Sequence, residues 1–189
     1  MQDVNWDALP EPEDDGAADH LRGAMLADVP LPSTDGADVS LAMQTGRVVV
    51  FCYPMTGEPD RDPPQGWSEV PGARGCTPQA CAYRDLQETL AAVGVARVFG
   101  VSTQSTSAQT EAKTRLGLPY TLLSDHALGF AEATALPTFE RDGRVFLRRL
   151  TMIVEDGTIA HVRYPVFPPD SDPSWVIETL SGADQPRPR

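Results

Sequence analysis

Apolar residues fall along this chain in two patterns: continuous blocks rich in β-branched and aromatic residues, and stretches at three- and four-residue spacing. Val48, Val49, Val50, Phe51, Cys52 and Tyr53 form one block, the pattern of a strand buried on both faces. Val98 to Ser102 reads as a second buried strand and Tyr120 to Leu123 as a short third. Between the first two, Tyr83, Leu86, Leu90 and Val93 mark the core face of a helix that stops near Gly94. Ala108 to Leu116 reads as a helix ended by Gly117, and Phe130 to Ala135 as a short helix before Leu136-Pro137. Leu147 to Val162 predicts a hairpin turning at Asp156-Gly157. Pro173 to Leu180 closes as a helix, and Gly182–Arg189 reads as a frayed tail. Strands alternating with helices, then a late hairpin and a terminal helix, predict an α/β layer architecture with a mixed central sheet. There is no internal repeat.

Two segments interrupt this rhythm. Pro30 to Gly36 is a turn-rich entry to the folded part. From Pro54 to Gly75 run 22 residues with five prolines and four glycines, which excludes a helix or a central strand. Ordered loops of that length are often functional. After it, Thr77 or Cys76 suits the cap of the next helix and Pro78 its first turn.

With 189 residues and 41% hydrophobic content, the chain has room for one domain with a substantial core. No run of 18 apolar residues predicts a membrane span, and the acidic start lacks the order of a signal peptide, so the expected setting is cytoplasmic. The net charge of −12 is unevenly spread. Residues 1–30 hold eight acids against Arg22 alone, a local balance of −7. That balance argues against nucleic-acid binding, and the acidic arm reads as a solubilising, flexible extension.

Three cysteines make a poor framework for a secreted disulfide protein. Cys52, inside an apolar strand, reads as a small buried hydrophobe. Cys76 and Cys81 differ, because Gly75-Cys76-Thr77-Pro78-Gln79-Ala80-Cys81 lies where coil runs into helix. A helix N-terminus carries about half a positive charge and several unpaired N–H donors, and a cysteine there can be held as the reactive thiolate. At about 100° per residue from Tyr83, the core direction lies near −40°, Cys76 near +20° and Cys81 near +160°. The phase therefore turns Cys81 toward water. Zinc is disfavoured, since His20, His126 and His161 are scattered and Cys-x4-Cys is not usual zinc spacing. The segment reads as a redox site.

These residues also carry a resemblance. Gly75 to Cys81, followed by Ala82-Tyr83-Arg84-Asp85, resembles the active-site helix of peroxiredoxins of the bacterioferritin-comigratory, or peroxiredoxin Q, type. Val50 to Pro54, Val98 to Thr103, Leu118 to Asp125 and Arg149 to Gly157 resemble further segments of that family, in collinear order over roughly residues 31–180. The resemblance implies a thioredoxin-like fold over residues 31–181, between an acidic extension (1–30) and a flexible tail (182–189). It implies reduction of hydrogen peroxide and organic hydroperoxides, with Cys76 as peroxidatic thiolate and Cys81 resolving it as an intramolecular disulfide. A thioredoxin-like reductant would regenerate the thiols. Arg149 matches the family arginine that steadies the thiolate and polarises the peroxide, and Pro54, Gly75 and Thr77 are candidate peroxide-binding positions. No cofactor is implied, and a monomer or weak dimer is the expected assembly.

The chain departs from the family where Thr or Ser usually stands three residues before the reactive cysteine and Pro seven before it. Here those positions hold Ala73 and Glu69, and about fifteen residues are inserted after Pro54. Thr56, Thr77 or a backbone N–H near Gly75 are the substitutes for the missing hydroxyl, and Trp67 reads as a lid or wall, or as packing. A slow redox sensor and an inert thioredoxin-like adaptor are the competing readings.

Overall fold

The computed structural model describes residues 5–59 and 61–183. Two short strands, β1 (Pro30–Pro32) and β2 (Asp38–Ser40), pair antiparallel at the turn-rich entry. The buried block then forms β3 (Arg47–Cys52), followed by the long loop, α1 (Cys76–Asp85), α2 (Gln87–Ala92) and β4 (Arg97–Ser102). α3 (Thr106–Leu116), β5 (Thr121–Ser124) and α4 (Gly129–Thr134) come next. Two hairpins, β6 (Thr138–Arg141) with β7 (Arg144–Leu147) and β8 (Leu150–Glu155) with β9 (Thr158–Arg163), precede α5 (Asp172–Ala183).

The central sheet is mixed, in the order β5-β4-β3-β8-β9. β3, β4 and β5 run parallel, whereas β8 pairs antiparallel with both β3 and β9. β3 sits in the middle, which explains its unbroken apolar run. Val48, Val50 and Cys52 face one core with Phe130 and Leu147, and Val49, Phe51 and Tyr53 face the other with Tyr83, Leu90 and Val176. The β8–β9 turn falls at Asp156-Gly157, where both residues have positive φ as a tight two-residue hairpin requires.

Two expectations are corrected, and one hairpin is present that was not expected. The helix predicted from Tyr83 to Val93 is broken at Leu86, whose φ and ψ of −104° and 13° leave the helical range. Tyr83 and Leu90 are both buried, and the break separates the turns that carry them. A second hairpin, β6–β7, turns at Asp142-Gly143 with the same positive φ pair. The acidic segment, expected to stand outside the folded part, supplies Ala18, Leu21 and Leu26 to the first core. Its backbone lies along β9: Ile159 accepts from Gly23 N–H and donates to the Ala24 carbonyl, and Leu26 N–H donates to the Gly157 carbonyl. α5 runs to Ala183, and the rest of the expected tail, like residues 1–4, lies outside the described residues.

The long loop is anchored by a third apolar cluster. Trp67 packs edge-on against Phe146 at 4.9 Å between ring centroids, beside Met55, Ala73 and Phe139. Arg141 Nε donates to the Gln65 carbonyl, and Gln65 N–H donates to Asp142 Oδ2, fastening the loop to the β6–β7 hairpin.

Candidate active site

α1 begins at Cys76 because Gly75 turns the chain into it. Gly75 adopts φ 99°, and a Cβ there would lie 2.6 Å from Pro169 Cγ and 3.0 Å from the Trp6 ring, so both strain and contact exclude a side chain. Neither Cys76 nor Thr77 caps the helix; the cap position is Gly75 itself. The N–H groups of Cys76 and Thr77 open the first turn and have no intrahelical acceptor. The Cys76 thiol, 3% exposed, sits at the base of a cavity of about 330 Å³. Met55, Trp67, Ala73 and Pro78 form apolar walls, while Arg61, Arg74 and Arg144 bring cationic groups to the lining with Glu58 and Asp62.

Two donors converge on the sulfur. Arg149 Nη2 lies 3.1 Å from Cys76 Sγ, and Met55 N–H lies 3.4 Å from it. The guanidinium reaches the site from the start of β8, although 73 residues separate the two in sequence. The same Nη2 also donates to the backbone carbonyls of Gly72 (3.2 Å) and Arg74 (3.1 Å), Nη1 donates to the Gln79 side-chain carbonyl, and the buried Nε has no partner among the described residues. A cation and an amide aimed at one sulfur stabilise negative charge on it, which is what a nucleophilic thiolate needs.

A family model described as Redoxin matches residues 17–178. The chain belongs to the redoxin family. Within this family it is of the peroxiredoxin Q type. It is 30% identical over 160 residues to the putative chloroplastic peroxiredoxin Q of Oryza sativa subsp. indica, a match covering 84% of this chain and 66% of that protein. The chain thus spans slightly less than two thirds of that relative's length. The chloroplastic peroxiredoxin Q of Sedum lineare is 30% identical over 151 residues, covering 79% of this chain and 70% of that protein. Among solved structures, peroxidoxin BcpB from Mycobacterium tuberculosis superposes with a TM-score of 0.70 at 26% identity, covering 87% of this chain and 98% of that one. The thioredoxin-like fold expected from the sequence is the fold observed.

In this redoxin, Gly75, Cys76 and Thr77 line the cavity, and Arg149, which is not among its lining residues, reaches the Cys76 sulfur, while the other candidates fall elsewhere. Pro54 does not line the cavity; it borders a separate small void with Pro71, Gly72 and Arg149. Thr56 does not line it either, and its hydroxyl donates to Gln104 Oε1 at 3.1 Å. Thr77 therefore keeps the only hydroxyl of the two threonines at the cavity. Trp67 both packs and walls the site.

Cys81 is not turned to water, as its helical phase predicts; it is 4% exposed. The chain closing α3 covers that side of α1: Arg84 Nη1 donates to the Leu116 carbonyl, and Tyr120 OH donates to the Ala80 carbonyl at 2.7 Å. Five residues from Cys76 on one helix, Cys81 points about 140° away with Cα atoms on the order of 8 Å apart. A disulfide needs Cα atoms within roughly 7 Å and converging Cβ vectors, so the helix must open before the two sulfurs meet. Cys52 is fully buried in β3, where burial pushes its thiol pKa up, away from reactivity.

Sequence reasoning missed Gln79 and Asp172. Gln79 sits inside the very motif that drew attention, yet its buried position shows only once α5 packs on α1. Asp172 is fully buried and accepts from Gln79 Nε2 (2.8 Å), Tyr83 OH (2.9 Å) and Thr151 Oγ1 (2.6 Å). Burial pushes its carboxyl pKa above the usual range, against the downward pull of those donors and of Arg163. An acid at the first residue of a terminal helix looks like ordinary capping in sequence, so nothing there marked it.

Proposed function

We propose that the chain is a thiol-dependent peroxidase acting on hydrogen peroxide and organic hydroperoxides. The observation that carries this reading is the Arg149 guanidinium 3.1 Å from a cysteine sulfur at a helix start, at the base of a cavity. In this reading the Cys76 thiolate attacks the terminal peroxide oxygen and the O–O bond breaks. The departing alkoxide or hydroxide takes a proton and leaves as alcohol or water, and the sulfur becomes sulfenic acid. Arg149 and the first-turn N–H groups stabilise the charge that moves from sulfur to the departing oxygen. After α1 opens, the Cys81 thiol attacks the sulfenic sulfur, forming the disulfide and releasing water. A thioredoxin-like dithiol then supplies two electrons and two protons to restore both thiols. No helix among the described residues is long and apolar enough to cross a membrane, and a cytoplasmic setting belongs to the same proposal.

Ala73, buried at the cavity wall where a hydroxyl is usual in this family, favours a second reading: a redox sensor with slow turnover. Intact mass after one equivalent of peroxide tests the chemistry. The wild type should lose two hydrogens and Cys81→Ser should gain one oxygen. Unmodified protein in both overturns the peroxidase and the sensor together. Many turnovers with a thioredoxin system support the enzyme, and a single turnover supports the sensor.

A further inference from the structure

Behind Arg149, away from the cavity, a buried chain of polar groups leads to α5. Gln79 is its middle link. A carboxamide has one accepting end and one donating end, whereas a guanidinium only donates. Arg149 can be received only by Gln79 Oε1, which leaves the Gln79 NH₂ group needing an acceptor on its far side. Asp172 Oδ2 is that acceptor, at 2.8 Å. Without it, nothing on α5 fixes the amide, and a turned amide would present NH₂ to the guanidinium.

The same oxygen holds α1 at two points, Gln79 and Tyr83, which flank Cys81 on either side. Thr151 on β8 and Arg163 on β9, the latter 3.5 Å from Oδ1, tie the carboxylate to the sheet. The turns that must open to bring Cys76 to Cys81 are therefore the turns that Asp172 fastens down.

We propose that Asp172 is a positioning residue with two linked effects: through Gln79 it aims Arg149 at the Cys76 sulfur, and through Gln79 and Tyr83 it restrains the opening of α1. It speeds the attack on peroxide and slows the disulfide step. This rests on the peroxidase reading, and the experiment separates the two.

The full chain is mixed rapidly with hydrogen peroxide to obtain the rate of Cys76 oxidation and then of disulfide formation. Site-resolved alkylation of Cys76 by iodoacetamide in the reduced protein gives a peroxide-free measure of thiol activation. Asp172→Ala should slow oxidation and alkylation by roughly tenfold or more and speed disulfide formation several-fold. Asp172→Asn, which keeps an acceptor for Gln79, should recover most of the oxidation rate. In a Gln79→Leu background, Asp172→Ala should slow oxidation no further, because its effect passes through the amide. A merely structural role lowers the melting temperature and leaves both rates of the folded protein unchanged.

Wild-type rates in folded Asp172→Ala overturn the proposal, as do additive losses in the double variant or an Asn variant as slow as Ala. If Asp172→Ala does not fold, two single variants decide. Gln79→Leu should slow oxidation, and Tyr83→Phe should speed disulfide formation without slowing oxidation; wild-type behaviour of both overturns it. If the wild type does not react with peroxide, the peroxidase reading fails, and the alkylation series still decides whether Asp172 positions Arg149.

Discussion

Arg149 is buried, and its partners are one amide carbonyl, two backbone carbonyls and the Cys76 sulfur. Of these four, only the sulfur can carry a full negative charge, so Arg149→Met removes a cation in contact with the attacking atom. A hydrogen bond to a charged group contributes about 1.5–3 kcal/mol, which corresponds to roughly 10- to 100-fold in rate. Arg149→Met should therefore slow Cys76 oxidation by about that factor, read as peroxide consumption in a single turnover. An unchanged rate would mean that the helix start alone activates the thiol. The sequence pointed to Cys76 through its place at a helix start, and to Arg149 only through the family resemblance. It could not place Gln79 and Asp172, because an amide and an acid 93 residues apart have no visible relation until two helices pack.

At the scale of the element, α1 has to be stable enough to hold Cys76 and loose enough to release it. It is fastened on its inner side by Tyr83, stacked on Phe51 at 4.6 Å, and on the Cys81 side by Tyr120 OH on the Ala80 carbonyl. The disulfide form cannot keep this geometry, since the sulfurs point apart on an intact helix. Backbone amides from Thr77 to Arg84 should exchange faster in the disulfide form than in the dithiol form, and the dithiol form should melt at the higher temperature. Equal protection in both forms would replace the opening of α1 with a disulfide between two chains. Although β6–β7 was not among the expected elements, its turn at Asp142-Gly143 was legible, the same residue pair that marked Asp156-Gly157. Its anchoring of the long loop was not, since the meeting of Trp67 with Phe146 depends on how the loop folds back.

Across the whole molecule, the central sheet is covered on one face by α1, α2 and α5, and on the other in part by the N-terminal segment. Leu21, 1% exposed, lies in that second layer, although His20 and Arg22 on either side of it are exposed. Leu21→Ala should cost about 2–5 kcal/mol of stability, measured by denaturant unfolding, as for a core leucine. A loss near zero would return this segment to the status of a free arm. The sequence by itself determined the layer architecture, because a continuous apolar block demands cover on both faces and three-and-four spacing demands a helix lying on one. It also pointed to the proposed redox pair, because two thiols at a Gly- and Pro-punctuated helix start have few other uses. Tertiary structure alone decided that the acidic segment joins the core, that Cys81 is buried, that Pro54 stands outside the cavity, and that Asp172 backs Arg149. Each of these depends on a distant segment arriving at a particular surface, and local periodicity carries no information about which segment that will be.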